Sequence, residues 1–281
     1  MIVGLDVGAS LTKGVLIDDE LKFLGKSILP TAKPKETSIK ILKNLLREIG
    51  GDYREKVKFI AAAGGGSRFI GSHIMGLSVK RVDEIRSIGL GGLFLSRRKE
   101  CLVVSAGTGT AIVAVYDNGK IVKHVGGTGI GGGTIIGLSR TLLKTENFSV
   151  IENMALKGNT SNVDLTVKDI VGESIGIVPA DVTASNLAKL KESSNPNDVA
   201  AGIINMVSQT IGVIAAMAAK ACKLEKSVVI VGTLAKSKIV ARIICEAARL
   251  FGASASVPEN CEFSTAVGAA ISYLRGASQL T

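Results

Sequence analysis

The sequence predicts an α/β protein made of two facing α/β halves, and three observations carry that expectation. Hydrophobic residues form 46% of the 281-residue chain while aromatics form 4% and Trp is absent. Such a core is built from Val, Ile, Leu and Ala, which suits sheets covered by helices better than a β-sandwich. Short apolar runs alternate with segments of helical spacing. The order strand, glycine-containing turn, strand, turn, strand and then helices also occurs twice, a weak internal repeat of pattern rather than of identity. The basic stretch Arg97-Arg98-Lys99 marks the boundary between domains 1–98 and 99–281.

In chain order, Met1–Asp6 reads as a buried strand, Thr12–Ile17 as its hairpin partner and Lys22–Leu29 as a third strand. Glu36–Ile49 carries Ile39, Ile41, Leu42, Leu45, Leu46 and Ile49 at helical spacing and stops at Gly50-Gly51. Val57–Ala63 is the next strand. Val82–Leu95 reads as a helix whose Gly89, Gly91 and Gly92 imply close packing on a neighbour. The second half restarts with strands Leu102–Ser105, Ala111–Tyr116 and Lys120–Val125, the last two joined by Asp117-Asn118-Gly119. Helices follow over Thr134–Lys144, Ile151–Lys157 and Val199–Cys222, then a strand Ser227–Val231 and helices Lys238–Phe251 and Ser264–Leu274.

Composition narrows the function. The longest apolar run, Ile203–Ala221, is broken by Asn205, Ser208, Gln209, Thr210 and Lys220, so neither a membrane span nor a signal peptide is expected. Cys101, Cys222, Cys245 and Cys261 are dispersed, with only His73 and His124 to assist them, which argues against a zinc or iron–sulfur site and fits a reducing cytoplasm. The net charge of +10 comes from scattered Lys and Arg with no aromatic platform among them, so nucleic acid is not the expected partner.

Five stretches carry chemistry. In Asp6-Val7-Gly8-Ala9-Ser10, with Lys13 on the following strand, a tight hairpin offers amides and a carboxylate to a Mg-bound triphosphate, and small residues let phosphates approach the backbone. Gly107-Thr108-Gly109-Thr110 occupies the matching turn of the second half. Each turn alone reads more readily as an ordinary hairpin, and it is their matching positions in the two halves that favour the phosphate reading. Gly126–Thr134 follows a strand and opens a helix whose N-terminus would present free amides to an anion. It also contains GxGxxG at Gly127, Gly129 and Gly132, with Glu152 near the acidic position of a dinucleotide site, but a helix stands where the next parallel strand is required. A Walker-type GxxxxGK[ST] is missing. Val228–Thr233 runs an apolar strand into a glycine where an adenine could lie, or is simply a βα turn. Asp83-Glu84, at the entry to the last helix of the first half, supplies either surface charge or the base that a kinase acting on an alcohol needs.

Taken in order, Asp6-x-Gly8 with Lys13, Glu84, Gly107–Thr110, the run Val125-Gly126-Gly127 to Gly137-Leu138, Asp181–Asn186 and Val231-Gly232 resemble the successive motifs of the type II pantothenate kinases over nearly the whole chain. The resemblance implies the duplicated ribonuclease-H-like, actin-like ATPase fold and a cytoplasmic homodimer. It also implies transfer of the ATP γ-phosphate to pantothenate, the first step towards coenzyme A, with Mg2+ accompanying ATP. By it Glu84 is the base, Gly8, Ala9, Ser10 and Lys13 hold phosphates, Asp6 orients the metal through water and Thr108 supports them from the other side. Gly132, Gly133, Thr134, Ile135 and Phe148 lie along the nucleotide and Thr233 beside the adenosine. His124 and Gly126 face the small-molecule substrate. His124 stands where the family has Arg, Arg86 where it has Asp, and Ala9-Ser10 where it has Gly-Thr. Two other readings stay open: a nucleotide-driven activator of another enzyme, which shares the Asp-x-Gly-x-Ser-x-x-Lys opening but needs paired cysteines, and a non-catalytic nucleotide or coenzyme A sensor.

Overall fold

The computed structural model describes residues 1–47, 49 and 52–277. The first sheet begins as an antiparallel meander of β1 (Ile2–Val7), β2 (Leu11–Ile17) and β3 (Phe23–Pro30). β1 is apolar on both faces apart from Asp6 and is buried throughout, as the central strand of a covered sheet must be. α1 (Pro34–Leu46) starts with the fixed φ of a proline and turns Ile41, Leu42, Leu45 and Leu46 inward. The Gly50-Gly51 stop expected after it lies outside the described residues. The single turn α2 (Tyr53–Lys56), capped by Asp52, leads to β4 (Ile60–Ala63), which joins β1 in parallel. β5 (His73–Ile74) and β6 (Leu77–Arg81) complete the order β3-β2-β1-β4-β6-β5. These two strands have no counterpart in the sequence reading, because two and five residues are too few to show a period.

α3 (Glu84–Ser96) carries the chain to a second meander of β7 (Cys101–Ala106), β8 (Thr110–Tyr116) and β9 (Ile121–Thr128). Then come α4 (Gly132–Leu142) and α5 (Phe148–Ala155), and the small hairpin of β10 (Leu165–Thr166) and β11 (Thr183–Ser185) with α6 (Val167–Val171) between its strands. α7 (Pro196–Cys222), β12 (Val228–Val231), α8 (Lys238–Leu250), β13 (Ala255–Ser256) and α9 (Ser264–Ala277) finish the chain. The second sheet runs β13-β12-β7-β8-β9, with β12 parallel to β7 and to β13. Its order is that of β6-β4-β1-β2-β3, so the repeat of pattern is a repeat of topology.

α7 is the one helix among the described residues long and apolar enough to cross a bilayer, but most of it is buried inside the protein, beside α5 and α8. The Asp181–Asn186 stretch is held by the fully buried Asp164, whose carboxylate accepts from Thr183 Oγ1 (3.0 Å), Leu187 N (2.8 Å) and Asn205 Nδ2 on α7 (3.0 Å). A buried carboxylate needs this many donors to offset its lost hydration.

The two halves exchange helices. α9 closes the first sheet, with Ala266, Val267, Ala270 and Ile271 packed on Ile2, Val15, Ile17, Ala61 and Ala63. α3 lies on the second sheet, Gly92 against Val103 and Gly89 against Val113, Val115 and Val122. The helices cross at Gly91 and Gly268, where an added Cβ would fall 1.8 Å from Ser264 O and 1.8 Å from Ser87 O respectively. The close neighbour expected for the glycine-rich helix is therefore α9 on one side and the sheet on the other.

Candidate active site

The parallel strands of the two sheets end on a shared cavity of about 1140 Å³. Each half contributes a hairpin turn. In the first, Asp6 and Lys13 are register partners on β1 and β2, both nearly buried, with Nζ 3.2 Å from Oδ2. The amides of Ala9 and Ser10 donate to no protein group among the described residues, whereas Gly8 N donates to Leu11 O. In the second turn Gly107 N donates to Gly109 O and the amides of Thr108 and Gly109 are likewise unclaimed. Ser10 Oγ and Thr108 Oγ1 share a hydrogen bond of 3.1 Å, so the two turns touch across the cavity.

Glu84 opens α3 on the first-half side of the same cavity. Asp83 caps the helix by accepting from Arg86 N at 2.8 Å, which leaves the Glu84 carboxyl directed at the cavity rather than spent on capping. Protein packed around it raises the Glu84 carboxyl above the ordinary glutamate range, and the charges of Asp6 and Asp83 raise it further, while Lys13 opposes them. A carboxylate made more basic beside a lysine suits proton abstraction.

Of the residues expected at the site, Asp6, Gly8, Ala9, Ser10, Lys13, Glu84, Thr108, Gly132, Gly133, Phe148 and Thr233 border this cavity. Four stand elsewhere. Helical period decides two of them: the face of α4 towards the cavity is Gly133, Ile136, Gly137 and Arg140, so Ile135 turns into the core, where it is fully buried. The Thr134 hydroxyl closes the helix end, accepting from Gly131 N and donating to Gly129 O. The strand read as ending at Val125 continues to Thr128, with a bulge after His124, and places His124 and Gly126 on β9 outside the cavity lining. The start of α4 offers no free amides either: Gly132 N and Gly133 N donate to Gly107 O and Thr108 O at 2.8 and 2.9 Å, and the amides of Thr134 and Ile135 go to Gly131 O. Unclaimed amides are found instead in the two hairpin turns.

The sequence reading passes over Arg68, Phe69 and Arg140, which also border the cavity. Three successive glycines after a strand, Gly64-Gly65-Gly66, are the signal that could have pointed to the first two.

Many solved structures share this architecture, among them two with a bound ATP analogue. The activator of 2-hydroxyisocaproyl-CoA dehydratase from Clostridium difficile with bound ADPNP superimposes with a TM-score of 0.68 at 16% identity, covering 99% of this chain and 96% of that one. A ROK family glucokinase from Streptomyces griseus in complex with glucose and AMPPNP gives 0.63 at 12%, covering 96% and 98%. The fold is thus the duplicated ribonuclease-H-like one of the actin-like ATPases and sugar kinases. Within that class a family model described as Fumble matches residues 100–272, and the chain belongs to that family. It is also 29% identical over 280 residues to a protein of Oceanobacillus iheyensis named type II pantothenate kinase, covering 96% of this chain and 98% of the relative.

Proposed function

We propose that the protein is a kinase that transfers the γ-phosphate of ATP to the hydroxyl of pantothenate, the entry step to coenzyme A. The observation that carries this reading is the convergence of Glu84, Lys13 and two turns with unclaimed amides on one cavity, in a chain whose relative bears the pantothenate kinase name. The halves 1–98 and 99–281 supply one turn each.

Glu84 accepts the proton of the acceptor hydroxyl, which its raised basicity favours. Lys13 and the unclaimed amides of Ala9, Ser10, Thr108 and Gly109 hold the phosphate oxygens and the charge that develops on them. Gly132 and Gly133 pass beside the nucleotide without donating to it, and Phe148 and Thr233 border its nucleoside end.

Among the described residues no three of His, Cys, Asp and Glu gather into a metal cage. The single carboxylate of Asp6 beside the phosphate turns fits Mg2+ carried in on the triphosphate, an ion that needs only one or two protein carboxylates. Bound there, it would neutralise charge on the β- and γ-phosphates. The homodimeric state and cytoplasmic location are part of the same proposal through the family resemblance, and light scattering on the purified protein measures the first.

The test is ADP release from Mg-ATP with pantothenate, with pantetheine and without acceptor, with the product weighed by mass spectrometry. Pantothenate-dependent release that disappears in Glu84→Ala supports the kinase. ATP turnover indifferent to every acceptor supports an activator instead, and tight ATP binding without turnover a sensor.

A further inference from the structure

We infer that Arg68 recognises the acceptor by its carboxylate, an assignment that rests on the kinase reading above. Three cationic side chains border the cavity: Lys13, Arg68 and Arg140. Lys13 is held by Asp6, and Arg140 is held by Glu146 with Nη2 2.7 Å from Oε2. Arg68 has no carboxylate partner among the described residues. Its guanidinium carbon instead sits 4.9 Å from the centre of the Phe69 ring, which is 60% exposed. A guanidinium laid on an aromatic face keeps its N–H edge free, and that edge matches a carboxylate with two parallel hydrogen bonds.

The backbone puts this pair on the acceptor side. β4 lies between β1, which carries Asp6 one residue before its end, and β6, which leads to Glu84. Beyond Ala63 the chain bends over the end of β1 through Gly64, at φ +85°, where an added Cβ would lie 2.7 Å from Val7 O and 2.9 Å from Asp6 Oδ1. Past the glycines the carbonyls of Ser67 and Arg68 accept from Arg81 Nε and Nη2 at 3.4 and 3.5 Å, and Ile70 is fully buried. The loop is fixed at both ends, and between them it exposes Arg68 and Phe69.

An acceptor with a hydroxyl at one end and a carboxylate at the other can engage Glu84 and Arg68 together. Nothing else in the cavity lining offers an uncommitted positive charge, and His124, which the resemblance puts opposite the substrate, is not part of that lining.

Pantothenate and pantetheine share the reacting hydroxyl and amide chain, but only pantothenate carries the carboxylate. Steady-state kinetics of the wild type, Arg68→Gln and Arg68→Lys with both acceptors therefore tests the assignment. In Arg68→Gln the ratio of kcat/KM for pantothenate over pantetheine should fall about tenfold or more, through KM for pantothenate, with KM for ATP unchanged. Arg68→Lys should recover part of the loss. Equal losses on both acceptors, no loss on either, or a rise in KM for ATP would each overturn it, the last by moving Arg68 to the nucleotide. A wild type with no acceptor-dependent ADP release overturns the kinase reading itself, which is settled before any variant is compared.

Discussion

The two hairpin turns that meet at Ser10 and Thr108 share a topology but not a chemistry. The first carries a nearly buried carboxylate and ammonium, Asp6 and Lys13, and lies within electrostatic reach of Glu84. The second, Gly107–Thr110, has no ionisable group and offers hydroxyls and backbone. Duplication has given two equivalent frames around one cavity, and the buried charges stand in only one of them. The second frame is left to shape the site, with α4 seated so tightly on its turn that its first amides are consumed by Gly107 and Thr108.

If the first half holds the chemistry, substitutions there should dominate. Glu84→Ala should lower kcat by about 10²–10⁴-fold, the usual worth of a positioned base, while leaving ATP affinity near that of the wild type in an equilibrium binding assay. An unchanged kcat would falsify the choice of base. Lys13→Ala should cost about 10²–10³-fold in kcat, as for removal of one preorganised donor to developing charge. It should also lower thermal stability, because Asp6 is left almost buried without its partner. Thr108→Ala, which removes a neutral hydroxyl and its contact with Ser10, should cost about 1 kcal/mol, or roughly fivefold in kcat/KM. Should it match Lys13→Ala, the two turns are chemically equal after all.

The smallest effect is the most diagnostic. Glu84 works as a base only when ionised, so kcat/KM should rise with pH through its folded-state value, which burial, Asp6 and Asp83 hold above the ordinary glutamate range. Asp83→Asn keeps an N-cap acceptor but removes one negative neighbour. The acidic limb of the pH profile should then move to lower pH. A limb that stays in place, or moves up, detaches it from Glu84.

The architecture was legible because its signals are local and repeated. Apolar strands flanking Asp6-x-Gly8 and Gly107–Thr110 recur at matching places, and the structure brings those two turns together at Ser10 and Thr108. What the sequence hid depends on period and on distance. Thr134 and Ile135 are one and two residues past Gly133, and only the phase of α4 tells which of them sees the cavity. His124 misses it because β9 runs three residues longer than its composition suggests. Arg68 reaches it because β4 lies beside β1, a parallel pairing across more than fifty residues of chain that no local pattern encodes. Closing the first half with the last helix is a longer-range version of the same thing.

That exchange has a consequence for synthesis. Domains emerging from a ribosome ordinarily fold in order, first to last. Here the inner face of the first sheet, including Ile2, Val15 and Ile17, has its covering helix encoded at Ser264–Ala277. Roughly 250 residues separate Ile17 from that helix, so at about 5–20 residues per second that face waits on the order of ten seconds or more as exposed apolar surface. The nascent chain, more than the finished enzyme, is where this fold exposes the apolar surface that aggregates.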